Sequence, residues 1–146
     1  MESHVLTSKY CKVSRFLSSE ARMAGVEGNG VSEFKRFAGL WDTGASVSAI
    51  TRRVVEELGL APVDYIEMYH AQGKTFANVY TVSFQLADGM TIPPLRVIEC
   101  KLREWDMLIG MDVIGHGDFA ISNFNGKTMF GFRAPSKADV DFENEK

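Results

Sequence analysis

Short runs of β-branched and aromatic residues, separated by turn residues, make up most of this chain from residue 20 to residue 133. Gly, Asn and Asp accept the backbone conformations of tight turns, so such a cluster between two runs predicts a β-hairpin. Clusters of this kind occur at three places: Gly28-Asn29-Gly30, Gln72-Gly73 and Asp88-Gly89. Apolar runs within residues 105–123 and 127–135 add further strand candidates. The pattern therefore predicts an all-β fold.

The segment ITRRVVEELGL departs from this pattern and is typical of a helix. Four of its apolar residues share one helical face: Ile50, Val54, Val55 and Leu58. Thr51 is suited to cap this helix and Gly59 to end it. We expect one or two short helices beside the strands.

The length of the chain limits the number of domains. With 146 residues and 45% hydrophobic content, it is long enough for one domain with a core and too short for two ordinary ones. We predict that this single domain spans residues 20–133, after an N-terminal extension, residues 1–19, of uncertain order. Residues 134–146 are mostly polar and predict a C-terminal tail.

The cysteine and histidine residues show no spacing that is typical of a metal site. Cys11 and Cys100 are far apart and neither belongs to a CxxC pair, which favours two reduced thiols over a disulfide or a zinc site. His4, His70 and His116 show no ligand spacing with each other or with the cysteines. We predict neither a metal nor a cofactor.

Charge and hydropathy narrow the range of partners. The net charge of −3 arises from 16 basic and 19 acidic residues, and no basic block is present, so we expect no nucleic-acid partner. No apolar stretch approaches the length that a membrane-spanning helix needs, and the first residues lack the pattern of a signal peptide. We therefore expect a soluble protein without a membrane partner, located in the cytoplasm.

The motif GLWDTGAS places one carboxylate, Asp42, between an apolar strand and a run of small residues. An isolated Asp in a turn is usually an Asx-turn residue or a helix cap. Here, however, a second motif, Leu108-Ile109-Gly110, follows about 65 residues downstream. Together with the hairpins between them, these two motifs resemble the retropepsin family of aspartic proteases. The resemblance covers roughly residues 20–133.

This resemblance implies a closed β-barrel that is active as a two-fold homodimer. It makes Asp42 the catalytic aspartate and Thr43 the residue whose hydroxyl braces the paired loops. Gly44 and Ala45 complete the active-site loop, and the backbone of Gly44 would face the substrate. Two further groups are implied: a support behind the loop, formed by Leu108, Ile109 and Gly110, and a flap from about residue 69 to 76, with Gln72, Gly73 and Lys74 at its tip.

Peptide hydrolysis by an aspartic protease needs two carboxylates. One takes a proton from water while the second, protonated, polarises the scissile carbonyl. This chain supplies one Asp-Thr-Gly, because its Asp88-Gly89 pair is typical of a hairpin turn. The resemblance thus implies a homodimer acting on a peptide or protein substrate. In it, two copies of Asp42 share one proton, because neighbouring like charges do not both ionise.

Some positions depart from the viral members of this family. Viral retropepsins carry an Asp after Gly-Ala and an Arg after the later Gly, and this pair buttresses the site; here those positions are Ser46 and Met111. The string GMD, with Asp112, resembles instead the retropepsin-like proteins of bacteria. The flap tip also has a single glycine where viral flaps are rich in glycine.

Two functional hypotheses follow. The first is a dimeric aspartic endopeptidase, and the second is a dimer of the same fold that binds peptides or partner proteins without cutting them. The intact Asp-Thr-Gly favours the endopeptidase, because a non-catalytic binder has no need of a costly buried carboxylate pair. On either hypothesis, residues 1–19 form a removable pro-segment, a strand of the dimer or a tail.

Overall fold

The computed structural model describes residues 3–27, 30–31, 33–86 and 89–144. Within these ranges the chain forms mostly strands. In chain order the elements are β1 His4–Lys9, β2 Ser18–Glu27, β3 Gly30–Val31, β4 Lys35–Trp41, β5 Ala49–Thr51, α1 Arg52–Leu58, β6 Asp64–His70, β7 Gly73–Leu86, β8 Met90–Cys100, β9 Met107–Ile109, α2 Met111–Ile114, β10 Asp118–Ser122 and β11 Met129–Ala134. None of the helices in the described ranges is long and apolar enough to cross a bilayer.

Six strands close into a barrel in the order β2-β4-β9-β5-β8-β7, and β7 pairs back onto β2 through residues 22–25 and 82–85. The pairs β4–β9 and β5–β8 are parallel, whereas the other pairs around the barrel are antiparallel. Large side chains fill the interior, among them the fully buried Met23, Ile50, Tyr80 and Phe84. The expected all-β closed barrel with few helices is confirmed.

A separate three-stranded sheet, here called the terminal sheet, joins the two ends of the chain. Its strand order is β1-β11-β10, and both pairings are antiparallel. Phe130 and Phe132 of β11 are each about 1% exposed and belong to the same core cluster as the barrel residues. Residues 4–9 therefore form a strand that pairs with β11 of its own chain.

The predicted hairpins are present in the described residues. β6 and β7 pair antiparallel, and His70 lies opposite Gly73 across a two-residue turn. Gly73 has φ 125°, a conformation that favours glycine. β7 pairs with β8, and β2 pairs with β4, both antiparallel. The predicted turn residues Gly28, Asn29 and Asp88 lie outside the described residues.

The predicted helix is confirmed as α1, with two differences at its start. Val54 and Val55 are buried, and Gly59 ends the helix with φ 63°. Ile50, predicted on the helical face, belongs instead to β5. The predicted cap is wrong in one respect: Thr51 occupies the N-cap position, but its side chain makes no capping hydrogen bond. The Thr51 hydroxyl is buried and has no hydrogen-bond partner among the described residues, and Thr51 is also the last residue of the buried strand β5.

The C-terminal segment is held by one carboxylate, Asp118, at the start of β10. Asp118 accepts hydrogen bonds from Arg133 Nε at 2.7 Å, from the Lys137 backbone N–H at 2.8 Å and from the Ser136 hydroxyl. Ala138 N also lies 3.4 Å from the same carboxylate. Residues 136–138 therefore wrap around the Asp118 side chain.

Candidate active site

Trp41 fixes the end of β4 immediately before Asp42. Its side chain is 6% exposed, and its indole N–H donates a 2.8 Å hydrogen bond to Ser19 Oγ. The indole also lies within 6 Å, centroid to centroid, of three rings of the terminal sheet: Phe119, Phe130 and Phe132. Strand β4 and the terminal sheet are thus packed together at the residue that precedes the carboxylate.

Asp42 begins a tight loop, and hydrogen bonds set its geometry. The backbone N–H of Gly44 donates to Asp42 Oδ1 at 2.9 Å, and the backbone N–H of Ala45 donates to the Asp42 carbonyl at 3.2 Å. Asp42 is half-buried, while Thr43 and Gly44 are exposed. Within the described residues Asp42 Oδ2 accepts no hydrogen bond, so one carboxylate oxygen is free to bind a water, a substrate or a second carboxylate.

The apolar motif at residues 108–110 lies directly behind this loop. Strand β9 sits between β4 and β5, and the Ile109 carbonyl accepts a 2.9 Å hydrogen bond from the Asp42 backbone N–H. Gly110 follows, and a Cβ on it would lie 2.7 Å from the Ala45 carbonyl oxygen. The Met111 N–H donates to that same carbonyl at 2.7 Å. The structure thus brings together the two motifs that the sequence separates.

A polar pair behind the loop was not predicted from the sequence. Ser48 is fully buried, and its backbone N–H and hydroxyl donate to the two carboxylate oxygens of Asp112, at 2.9 and 2.6 Å. The Gly110 N–H in turn donates to Ser48 Oγ at 2.9 Å. The string GMD singles out Asp112, but nothing in the sequence points to Ser48 as its partner.

The two positions that depart from the viral pattern do not replace the missing buttress. Ser46 and Met111 are exposed, and Met111 retains 43% of its accessible surface. Neither side chain forms a hydrogen bond with a described residue. The Ser48–Asp112 pair therefore joins the Asp42 loop to the segment after Gly110 through buried hydrogen bonds, instead of through contacts at the surface.

The hairpin predicted as a flap extends away from the barrel. Every residue of β6 is exposed, and Tyr65, Tyr69 and Phe76 are each at least two-thirds exposed. An ion pair of 2.9 Å joins Glu67 to Lys74 across the hairpin.

The tip of this hairpin is shifted slightly from the predicted one. The turn consists of Ala71 and Gln72, whereas Gly73 and Lys74 begin β7. The Gln72 N–H donates to His70 Nδ1 at 3.3 Å. The three residues predicted for the tip thus remain within the end of the hairpin.

A hydrogen-bonded cluster fixes the base of this hairpin. The Tyr80 hydroxyl, almost completely buried, donates to Glu99 Oε1 at 2.7 Å, and Asn78 Nδ2 donates to the Tyr80 hydroxyl oxygen at 3.2 Å. Arg52 Nη1 also approaches Glu99 Oε1, at 3.4 Å. Burial and the bond to Glu99 raise the pKa of Tyr80, so the phenol stays a donor. The base of the hairpin is therefore joined to the barrel by side-chain hydrogen bonds, whereas its end is exposed.

The described residues outside the Asp42 loop include one half-buried thiol, Cys100, and no candidate metal site. Burial, with a smaller effect of Glu99, raises the pKa of the Cys100 thiol to about 11, so this thiol is protonated at neutral pH. Among the described residues, no three His, Cys, Asp or Glu side chains are grouped so as to hold a metal ion.

A sequence profile described as aspartyl protease matches residues 24–113 of this chain. The chain belongs to the aspartyl protease family. The matched region begins in β2 and ends in α2, so it contains Asp42, the hairpin and Gly110. A search of curated proteins finds no match.

Solved structures of aspartic proteases resemble the fold of this family member. A retropepsin-like aspartic protease from Rickettsia conorii superposes with a TM-score of 0.53 at 15% sequence identity, covering 92% of this chain and 97% of that chain. The protease of Simian Foamy Virus (mac) gives a TM-score of 0.49 at 16% identity, covering 68% of this chain and 92% of the viral one. The Rickettsia likeness shows a retropepsin-like fold.

Proposed function

We propose that this member of the aspartyl protease family is an endopeptidase whose active site combines Asp42 from two copies of the chain. The observation that carries this proposal is the loop itself. Asp42 keeps one carboxylate oxygen without a partner among the described residues, beside the exposed Thr43 and Gly44. A half-buried carboxylate at an exposed surface is suited to meet a second carboxylate.

In the proposed reaction, the ionised carboxylate takes a proton from a water molecule while the protonated one donates a hydrogen bond to the peptide carbonyl. The water oxygen bonds to the carbonyl carbon, and the carbonyl oxygen takes the proton of the second carboxylate. The first carboxyl, now protonated, then gives its proton to the amide nitrogen while the second carboxylate takes a proton from the diol, so that the C–N bond breaks, the amine leaves and a carboxylic acid remains. The pair ends in its original singly protonated form.

The neighbouring residues take roles that fit this chemistry. Thr43, exposed in the single chain, would contact the partner loop, and Gly44 leaves room for a substrate backbone. Residues 108–110 support the loop from behind. The hairpin end at residues 71–74 would close over a bound peptide and exclude water. The exposed rings of Tyr69 and Phe76, in the adjoining strands, suit apolar side chains. We place this dimer in the cytoplasm, as the sequence predicts.

The first test compares wild-type protein with Asp42→Asn on a diverse peptide library, read by mass spectrometry between pH 3 and 8. Asn keeps the volume of Asp but does not take a proton from water, so cleavage should be lost while folding persists. Asp139→Asn, in the exposed C-terminal segment, is the matched control and should cleave like wild type. The wild-type pH–rate profile should be bell-shaped with an acidic optimum.

Each alternative has a distinct outcome in this experiment. Undiminished cleavage by Asp42→Asn would remove Asp42 from the chemistry. Peptide binding without cleavage by either protein would instead support the second hypothesis, a peptide-binding dimer. Specific activity should also fall when the enzyme is diluted below its dimer dissociation constant, since one chain supplies only half of the proposed site.

Hydrogen exchange tests the role of the hairpin separately. Residues 69–76 should exchange faster than the barrel strands and become protected when a peptide-like inhibitor binds. Unchanged exchange in this segment on binding would show that substrate enters by another route.

A further inference from the structure

The hairpin separates from the barrel at one point along β7. Residues 79–86 of β7 pair with β8, whereas within the described part of the chain residues 73–78 pair with β6 alone. Beyond Ile98, β8 no longer pairs with β7 and continues beside β5 as far as Cys100. A ribbon of two strands is marginally stable by itself, so the direction of the hairpin depends on contacts at its base.

Glu99 lies at this point and contacts the strand that forms the hairpin. Its Oε1 accepts a 2.7 Å hydrogen bond from the Tyr80 hydroxyl, and Asn78 Nδ2 donates to the same hydroxyl oxygen at 3.2 Å. Tyr80 is 1% exposed, and the Glu99 side chain is 27% exposed. Hydrogen bonds are stronger where water is excluded. Glu99 thus holds Tyr80 directly and Asn78 through Tyr80, on the two sides of Val79.

Two ion pairs near the base of the hairpin are exposed to water. Strand β6 is tied to β8 by an ion pair of 2.9 Å between Asp64 and Arg96, whose side chains are 55% and 61% exposed. Arg52 approaches Glu99 at 3.4 Å and is also 61% exposed. Such pairs contribute little, because water screens the charges and the long side chains lose conformational freedom. Of these three contacts, the Tyr80–Glu99 hydrogen bond is the one best suited to fix the hairpin.

We propose that Glu99 is a positioning residue of the peptidase. Through Tyr80, its carboxylate fixes the direction in which residues 64–78 leave the barrel, so that a peptide meets a hairpin that is already ordered. This inference rests on the proposed function, in which the hairpin closes over the substrate. A hairpin without this contact has to be ordered when the peptide binds, and that cost lowers the affinity. The loss therefore falls on KM more than on kcat.

Kinetics of three variants test the positioning role, on a peptide that wild type cleaves. Glu99→Ala removes the acceptor of the Tyr80 hydroxyl and should raise KM about fivefold or more, with kcat within about twofold of wild type. Glu99→Gln keeps an oxygen in the same place and should restore KM to within about twofold. Asp64→Asn, which breaks the exposed ion pair at the same base, is the matched control and should behave like wild type.

A second route to the same defect excludes an effect of Glu99→Ala alone. Tyr80→Phe removes the hydroxyl that Glu99 accepts and should raise KM by a similar factor. The two changes delete one hydrogen bond, so their combination should raise KM no further than either change by itself. Multiplied effects in the double variant would overturn a role for Glu99 through Tyr80.

A distance measurement tests the orientation of the hairpin without catalysis. Spin labels at Thr75→Cys, in the exposed part of β7, and at Thr91→Cys, in the barrel strand β8, report it when both native cysteines are replaced by serine. Labelled chains are mixed with an excess of unlabelled ones, so that only distances within one chain are read. Glu99→Ala should broaden the distance distribution, whereas Glu99→Gln should keep the width of wild type.

Equal KM values in wild type and Glu99→Ala would overturn the positioning role, even if the variant were less stable. A distance distribution that Glu99→Ala leaves unchanged would overturn it as well. A wild type that cleaves no peptide would instead overturn the proposed function, and the distance measurement would still decide whether Glu99 orients the hairpin.

Discussion

Ser48 and Asp112 form a buried pair that ties the Asp42 loop to the segment after Gly110. Both oxygens of the Asp112 carboxylate are engaged by Ser48, whose hydroxyl also accepts the Gly110 N–H. The Gly110 backbone packs against the Ala45 carbonyl at the same place. One serine therefore sets the separation of the two segments that shape the surroundings of Asp42.

Replacing Ser48 with Ala should lower the free energy of unfolding by about 1–3 kcal/mol, because the Gly110 N–H and an Asp112 oxygen lose their partner in a buried place. Ser46→Ala is the control, since Ser46 is exposed and its change should stay within about 0.5 kcal/mol. Urea denaturation at one protein concentration measures the free energy of unfolding of both variants. Equal losses in the two variants would show that the buried pair contributes little.

The features that sequence predicts best here are those with local signals. Gly59 ends its helix because the position needs a left-handed backbone, and Gly73 occupies a hairpin for a similar reason. The packing of Gly110 behind the Asp42 loop can be predicted because each of the two lies in a recognisable motif.

Contacts between distant, unremarkable residues were not predictable in this way. Ser48 and Asp112 are separated by 64 positions, and neither residue type indicates which partner it has or that the pair is buried. The pairing of β1 with β11 joins the two ends of the chain, and neither strand carries a signal for the other. Thr51 is a case in which a local signal gives the wrong prediction. The sequence predicts that its side chain caps the helix, but the side chain makes no capping hydrogen bond and its hydroxyl is buried.

The effect of Thr51→Val on the free energy of unfolding depends on whether the Thr51 hydroxyl caps the helix or is buried without a partner. If Thr51 capped the helix, Thr51→Val would cost about 1 kcal/mol. In the structure the hydroxyl is buried without a partner among the described residues, so Val should raise the free energy of unfolding by about 1 kcal/mol.

Thr128→Val is the matched control for this experiment. Thr128 is also buried, but its hydroxyl donates to Asn123 Oδ1 at 2.6 Å and accepts the Ser14 N–H at 2.8 Å. Its replacement should therefore destabilise the protein by about 1–3 kcal/mol. A loss of stability in Thr51→Val similar to that in Thr128→Val would mean that Thr51 does find a partner.

Gly110 should not tolerate a side chain. The Cβ of Gly110→Ala would lie 2.7 Å from the Ala45 carbonyl oxygen and 3.1 Å from the Val47 carbonyl carbon, both backbone atoms. We expect a loss of about 1–3 kcal/mol in chemical denaturation, because the loop must move to make room. At Gly131 a Cβ would meet the Leu6 carbonyl at an ordinary 3.5 Å, so Gly131→Ala should keep wild-type stability. Equal tolerance at both positions would contradict the close packing behind Asp42.

The hydrogen bonds that the Asp118 carboxylate accepts should make the free energy of unfolding depend on pH. The backbone N–H of Lys137, the Ser136 hydroxyl and Arg133 hold the pKa of the Asp118 carboxyl well below its usual value of 3.8. A carboxyl whose pKa is lowered by folding contributes stability that is fully present above the unfolded-state pKa, about 4, and is lost as the pH falls towards the folded-state value. The hydrogen bonds to Asp118 should therefore contribute fully at pH 5 and progressively less in stronger acid.

Asp118→Asn tests this dependence, because the amide keeps the shape of the carboxylate and removes its charge. The unfolding midpoint of wild type should exceed that of the variant by a constant amount above about pH 5, and the gap should shrink as the pH falls below about 4. Thermal unfolding from pH 2.5 to 7, at one protein concentration, measures the gap. Asp139→Asn, in the same segment but without a hydrogen bond to a described residue, should show no such gap. A difference between wild type and Asp118→Asn that widens in acid would rule out an ionised Asp118 as the group that holds residues 136–138.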